Sequence, residues 1–221
     1  MRHLLQPRVL SLAVATALVS ALVSYPRMVL WTTRTDAIWL LEVMLFLCGA
    51  VLWGFVFAWH TPYTNQPAFI FKLDAGPVIL ATLTAIVAAM IYHLGVDPSL
   101  RAQLPEDYPK DLQHWFASLP FLFTFNALFS IFAPFDMAMR LTKNQRVAMI
   151  FTGIWSASIV AMKVHSLAIP ISPFMFAGLL GMRFLMASLA VAFYLRGGVF
   201  LVWWWMFLFE TRHWLDLPQG H

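Results

Sequence analysis

Few residues in this chain have side chains that could do chemistry, and most of them stand alone inside apolar runs. An ionisable group in hydrocarbon is costly, and it normally faces a bundle interior or a wet cavity. Glu42 is one such group. Ala50, Gly54 and Ala58 follow it at four-residue spacing, a pattern of small residues that lets another helix approach closely. Glu42 is therefore expected to point into the bundle as a helix-packing contact. His165 follows Gly153, Ala157 and Ala161 at the same spacing. The Ala161–His165 pair also suits a tetrapyrrole: the imidazole would ligate the metal of a haem or chlorophyll, and the small residue one turn earlier would leave room for the flat ring. Asp136 and Arg140, four apart, would be neighbours on a helix and are expected to form an ion pair. His93 and His114 could face each other, whereas His60 belongs to the opposite end of the spans. No HExxH, CxxCH, GxGxxG or P-loop pattern occurs.

The elements that must hold these groups are apolar helices. The chain has 221 residues, 61% hydrophobic, 16% aromatic and only 11% charged. Soluble domains carry about 25% charged residues, so an ordinary soluble enzyme is excluded. The single cysteine, Cys48, precludes a disulfide framework and is expected to be a buried small apolar side chain. The net charge is +4, yet the 14 Lys and Arg are scattered singly, which argues against nucleic acid as a partner.

A bilayer core about 30 Å thick needs about 20 apolar residues of helix. Seven spans fit, near 9–31, 37–59, 76–96, 115–135, 147–170, 175–195 and 197–214. The first, interrupted by Pro26 and Arg27, is expected to stop near Tyr25 and to remain uncleaved. Asp74 and Pro77 mark the start of the third. The polar stretch 97–114 is expected to be a loop with one amphipathic turn. The Trp203–Trp205 run suits an interfacial belt, or a surface that grips a pigment, lipid or helix. Phe121, Phe123, Phe125 and Phe129 are expected to face lipid. Seven Lys and Arg fall on the N-terminal side of the spans against five on the other, which predicts a cytoplasmic N-terminus in a bacterial inner membrane. The fold expected is a single all-α, polytopic membrane bundle over residues 1–221.

The stretch 177–199, AGLLGMRFLMASLAVAFYLRGGV, resembles the glycine-led helix of the CAAX-protease and bacteriocin-processing family of intramembrane glutamic proteases. The resemblance covers roughly residues 120–214. That family's tandem glutamate with a following arginine would fall either on Phe135, Asp136 and Arg140, or on Phe125 and Asn126 with Ser130 in the arginine position. Its Phe-x-x-x-His motif would fall on Ala161 and His165, and its last motif near Phe207 and Thr211. The resemblance implies Asp136, Arg140 and His165 as catalytic residues if the chain is a protease. Both registers lack the tandem carboxylate. Asp136 also lies about 12 Å from the turn near Asn144, and His165 about 31 Å from it, at 1.5 Å per residue. The expectation is therefore a non-catalytic relative, a pseudoprotease that serves as scaffold or accessory subunit of a larger membrane complex with other integral-membrane subunits. The alternatives are an active protease of that family and a tetrapyrrole- or carotenoid-binding subunit.

Overall fold

The computed structural model describes residues 4–31, 37–105, 108–166 and 171–217, and these form helices and turns with no strand. Arg2, Arg34 and positions 167–170 of the expected fifth span lie outside the described residues. Six helices are long and apolar enough to cross a membrane: α1 Pro7–Trp31, α2 Ile38–Thr64, α3 Ala75–Gln103, α4 Leu112–Thr142, α5 Gln145–Ser166 and α6 Pro173–Asp216. The chain is thus an all-α helical membrane bundle.

The expected sixth and seventh spans are both in α6. Its 44 residues would run about 66 Å if straight, twice a bilayer core. Instead the backbone breaks at Gly198, with φ 65° and ψ −162°. The two arms, 173–197 and 199–216, fold back side by side, so Phe193 and Trp205 have ring centroids 5.9 Å apart. Position 198 requires glycine for two reasons. Its φ lies in the left-handed region, and a β-carbon there would sit 2.5 Å from the Ala68 carbonyl oxygen. That carbonyl accepts the Val199 N–H at 2.8 Å, pinning the α2–α3 loop against the fold in α6. The bundle therefore has a Gly198 end and an Asp216 end.

Helix starts follow local chemistry. Asp111 accepts the His114 N–H at 2.8 Å and caps α4. Asn144 Oδ1 accepts the Arg146 and Val147 N–H groups before α5, and Ser172 accepts the Met175 N–H before α6. Asp74 holds the cap position of α3 but makes no side-chain cap bond. Several boundaries move. α1 continues through Pro26 to Trp31, and helix continues from α3 through 97–103, where a loop is expected.

Small residues let helices approach. A β-carbon on Gly49 would meet the Ala17 β-carbon at 3.4 Å, and one on Gly54 the Ala13 β-carbon at 4.0 Å, so α1 and α2 pack closely. Gly153 lies directly beneath the Phe184 ring, joining α5 to the first arm of α6. Ala58 is buried, whereas Ala50 and Ala157 are half-buried. The core centres on Trp53, Leu128, Phe132, Phe135, Tyr194 and Leu201.

Three expectations about apolar residues change. Cys48 is exposed on α2. Of the four phenylalanines expected to face lipid, only Phe129 is exposed, the others being half-buried. The tryptophan run lies inside the second arm of α6 and not at its end: Trp205 is buried, Trp203 donates to the Phe123 carbonyl at 2.7 Å, and Trp204 donates to Thr82 at 3.0 Å.

Candidate functional site

Asp136 does not pair with Arg140. Its Oδ1 lies 2.8 Å from His60 Nδ1, and its Oδ2 accepts the Tyr194 hydroxyl at 3.0 Å. These residues come from α4, α2 and the first arm of α6, near the Gly198 end. All three are essentially inaccessible: Asp136 0%, Tyr194 0% and His60 1% exposed. The His60 and Tyr194 rings are 4.2 Å apart, and Phe132 packs 4.7 Å from Tyr194. His60 Nε2 is buried without a hydrogen-bond partner. Arg140 instead places its guanidinium 4.5 Å over the Trp59 ring.

The other sequence candidates do not join this cluster. His165 is exposed near the end of α5, and Ala161 is half-buried. Repeated four-residue steps on a straight helix drift by about 40° each, so His165 has turned about 120° from Gly153. The same drift separates Glu42 from Ala58. Glu42 is half-buried, with Oε1 lacking a partner among the described residues. His93 and His114 are not paired with each other: His93 Nδ1 lies 3.3 Å from Asp216, and His114 Nδ1 2.9 Å from Asp111.

A different site forms in the half of the bundle toward the Asp216 end. A cavity of about 210 Å³ opens between α3, α4, α5 and both arms of α6, with Tyr92, Asn126, Ser130, Ser156, Arg183 and Trp205 among its lining. Three buried polar atoms lacking any hydrogen-bond partner belong to this lining: Ser156 Oγ, Arg183 Nε and Trp205 Nε1. The backbone around the cavity is unusual as well. α4 widens between Pro120 and Pro134 into two π-helical turns, Leu122–Asn126 and Leu128–Phe132, and α3 has a third, Tyr92–Val96. Each turn contributes a residue to the cavity, and such turns concentrate at functional sites. Neighbouring indoles bond to carbonyls in the two α4 turns, since Trp203 donates to Phe123 and Trp155 to Phe129.

An ion-pair cluster closes the Asp216 end of this chamber. Arg212 bonds Asp97 at 3.0 Å and Glu210 at 3.4 Å, His213 lies 3.3 Å from Glu210, and Tyr108 donates to Asp97 at 3.0 Å. The Arg212 guanidinium sits 3.9 Å over Phe209, whose ring meets Tyr92 edge-on at 5.0 Å. Burial, and then the Asp97 carboxylate, push the Tyr108 phenol well above its ordinary range. A second cavity of about 210 Å³ lies between this cluster and the loop, sharing Leu122, Glu210 and Arg212 with the first.

Asn126 and Ser130, from the second motif register, line the chamber, while Asp136, from the first, does not. Sequence reasoning does not single out Arg183 or Ser156 as site residues, and it names Trp205 only as part of the tryptophan run. The available signal was Arg183, a lone arginine within an apolar run. No family model, no curated protein and no solved structure matches this chain.

Proposed function

We propose that the chain is a non-catalytic integral-membrane protein, a degenerate relative of the CAAX-protease and bacteriocin-processing family that serves as scaffold or accessory subunit of a larger membrane complex. Its setting is a bacterial inner membrane, with the N-terminus cytoplasmic. The observation that carries the reading is the immobilised Asp136. Both carboxylate oxygens are engaged by His60 and Tyr194, and the side chain has no exposure. A general base must reach the water it activates, directly or through one other water, and this carboxylate reaches none of the cavities described. Arg140 rests on Trp59, and His165 lies toward the opposite end of the bundle, so the residues that the resemblance would make catalytic do not converge. Glu42 supports a partner subunit. It sits half-buried on α2 among exposed Trp39, Leu40, Val43 and Met44, apolar surface beside a carboxylate that a helix of another chain would cover.

Two measurements test the reading. The purified protein, reconstituted with a reporter transmembrane helix, is expected to leave it uncut; cleavage that Asp136→Asn abolishes would restore the protease. Extraction in mild detergent is expected to bring a stoichiometric membrane partner, and a lone 25.2 kDa chain would remove the subunit role.

A further inference from the structure

The chamber at Arg183 presents donors without acceptors to match. Arg183 contributes a guanidinium whose Nε is buried and unbonded, and no ion pair or hydrogen bond joins it to another of the described residues. Ser156 Oγ and Trp205 Nε1 are also buried and unbonded there, and the Asn126 side chain completes a polar wall. The nearby acids are already engaged. Glu210 is held by Arg212 and His213, and Asp97 by Arg212 and Tyr108. Arg183 is half-buried and makes no hydrogen bond within the described residues, and an anion entering the chamber would pair with a guanidinium that water only partly solvates. An indole N–H can only donate, and a guanidinium presents a donor fork that matches phosphate and carboxylate oxygens.

We infer that this chamber is a binding site for an oxyanion of the phosphate or carboxylate class, with Arg183 as its fixed cation and Ser156 and Trp205 as neutral donors. The cavity volume, about 210 Å³, falls below the roughly 300–1,000 Å³ of pockets for drug-sized ligands, so it takes a headgroup and not a large ring. Tyr92, Ser130 and the Glu210–Arg212 pair also line it, the Glu210 carboxylate being held by Arg212 and His213, and the apolar part of the wall is Leu122, Ile131, Met186, Ala187, Met206 and Phe209. Beyond the Tyr92–Phe209 contact lies an apolar groove of about 510 Å³ between α3 and the second arm of α6, and Arg212 lines both spaces. An amphiphile with its acid group in the chamber and its chain along the groove would use both. A free oxyanion would use the chamber alone. The inference stands whether or not the chain works as a subunit.

The test uses the full chain, purified in detergent and delipidated, with thermal unfolding and equilibrium binding as readouts. The probes are inorganic phosphate, oleate, dioleoyl phosphatidic acid and, as the uncharged-overall comparison, dioleoyl phosphatidylcholine. At least one anionic probe is expected to raise the unfolding midpoint, and phosphatidylcholine is not. A response to phosphatidic acid or oleate but not phosphate assigns the site to membrane amphiphiles; a response to phosphate assigns it to free oxyanions as well. Arg183→Gln is expected to weaken binding of the responding probe by about tenfold or more. It is also expected to leave the ligand-free midpoint equal to or above that of the natural chain, because it removes a half-buried charge that makes no hydrogen bond in the ligand-free protein. Ser156→Ala and Trp205→Phe remove neutral donors and are expected to weaken binding by smaller factors while leaving the ligand-free protein stable. They carry the test if Arg183→Gln does not fold. Unchanged binding in all three variants would overturn the inference, as would silence to every anionic probe. A ligand-free midpoint lowered by Arg183→Gln would make Arg183 the counter-ion of Glu210, and would overturn it too.

Discussion

Two polar clusters lie inside this bundle, and they are built in opposite ways. Near the Gly198 end, His60, Asp136 and Tyr194 close on one another and on aromatic rings, so that both carboxylate oxygens of Asp136 are engaged and only His60 Nε2 is left unbonded. Toward the Asp216 end, Arg183, Ser156 and Trp205 surround a cavity and have no hydrogen bonds with one another. The first arrangement uses a buried carboxylate to fix three helices. The second holds donors apart in a low-dielectric space, an arrangement that favours a guest over the folded chain alone. A charge in the membrane therefore does not by itself mark a functional site. What distinguishes the two is whether the surrounding side chains already satisfy it.

This contrast is sharpest in how each cluster responds to losing a member. Asp136→Ala would strip His60 and Tyr194 of their common partner. Breaking a buried pair by removing one side costs about 3–5 kcal/mol, and a loss of that order is expected in detergent-micelle unfolding. Arg183→Gln at the other cluster is expected to cost nothing in the ligand-free chain. Equal losses at the two positions would erase the distinction. The next largest effect belongs to Gly198→Ala. A left-handed backbone position for a residue with a side chain costs about 1–3 kcal/mol, and here the new methyl also meets the Ala68 carbonyl. Because Tyr194 and Arg183 both sit on the first arm of α6, this substitution should loosen both clusters together. Cysteine crosslinking between the two arms would show it. Tyr194→Phe comes third. It deletes one hydroxyl bond to Asp136, and side-chain hydrogen bonds inside membrane bundles average about 0.6 kcal/mol, so its loss should be well below that of Asp136→Ala.

The helices themselves were legible because a bilayer imposes length and apolarity on any segment that crosses it, and both are written directly in composition. Even the break in α6 showed, as two expected spans on either side of residue 196. The partners were not legible. Asp136 and Arg140 have the right spacing to pair along one helix. However, Asp136 is directed into the core, where His60, 76 positions earlier, and Tyr194, 58 positions later, reach it. Spacing within one helix carries no information about which other helix lies opposite. The small-residue stripes misled for a related reason. A four-residue period drifts around a 3.6-residue helix, so Gly153 reaches the α5–α6 contact while His165 ends exposed. Arg183 was visible as a charge in an apolar run, but its cavity exists only once the α6 arms fold together and the π-helical turns of α4 widen.

The smallest expected effect lies outside both clusters and sets the lower limit of the comparison. Asp111 is exposed at the start of α4, where its carboxylate accepts the backbone N–H of His114 and contacts that residue's ring. The backbone bond first, then the side-chain bond, hold its carboxyl below the ordinary aspartate range. A carboxylate held low in the folded chain contributes stability at pH values above its unfolded pKa, ~3.9, and that contribution is lost as pH falls through the lower folded value. The protection factor of the His114 amide, its intrinsic exchange rate over the observed one at the same pH, should therefore be high at neutral pH and fall only on the acid side of that window. Asp111→Asn keeps an acceptor at the cap but loses the titration, so the acid-side fall in protection should disappear. Since the group is solvated, neither the His60–Asp136–Tyr194 contacts nor anion binding at Arg183 should respond to the substitution. A change in either would mean that the start of α4 is mechanically coupled to the π-helical turns beyond Pro120, and that the two clusters are not independent.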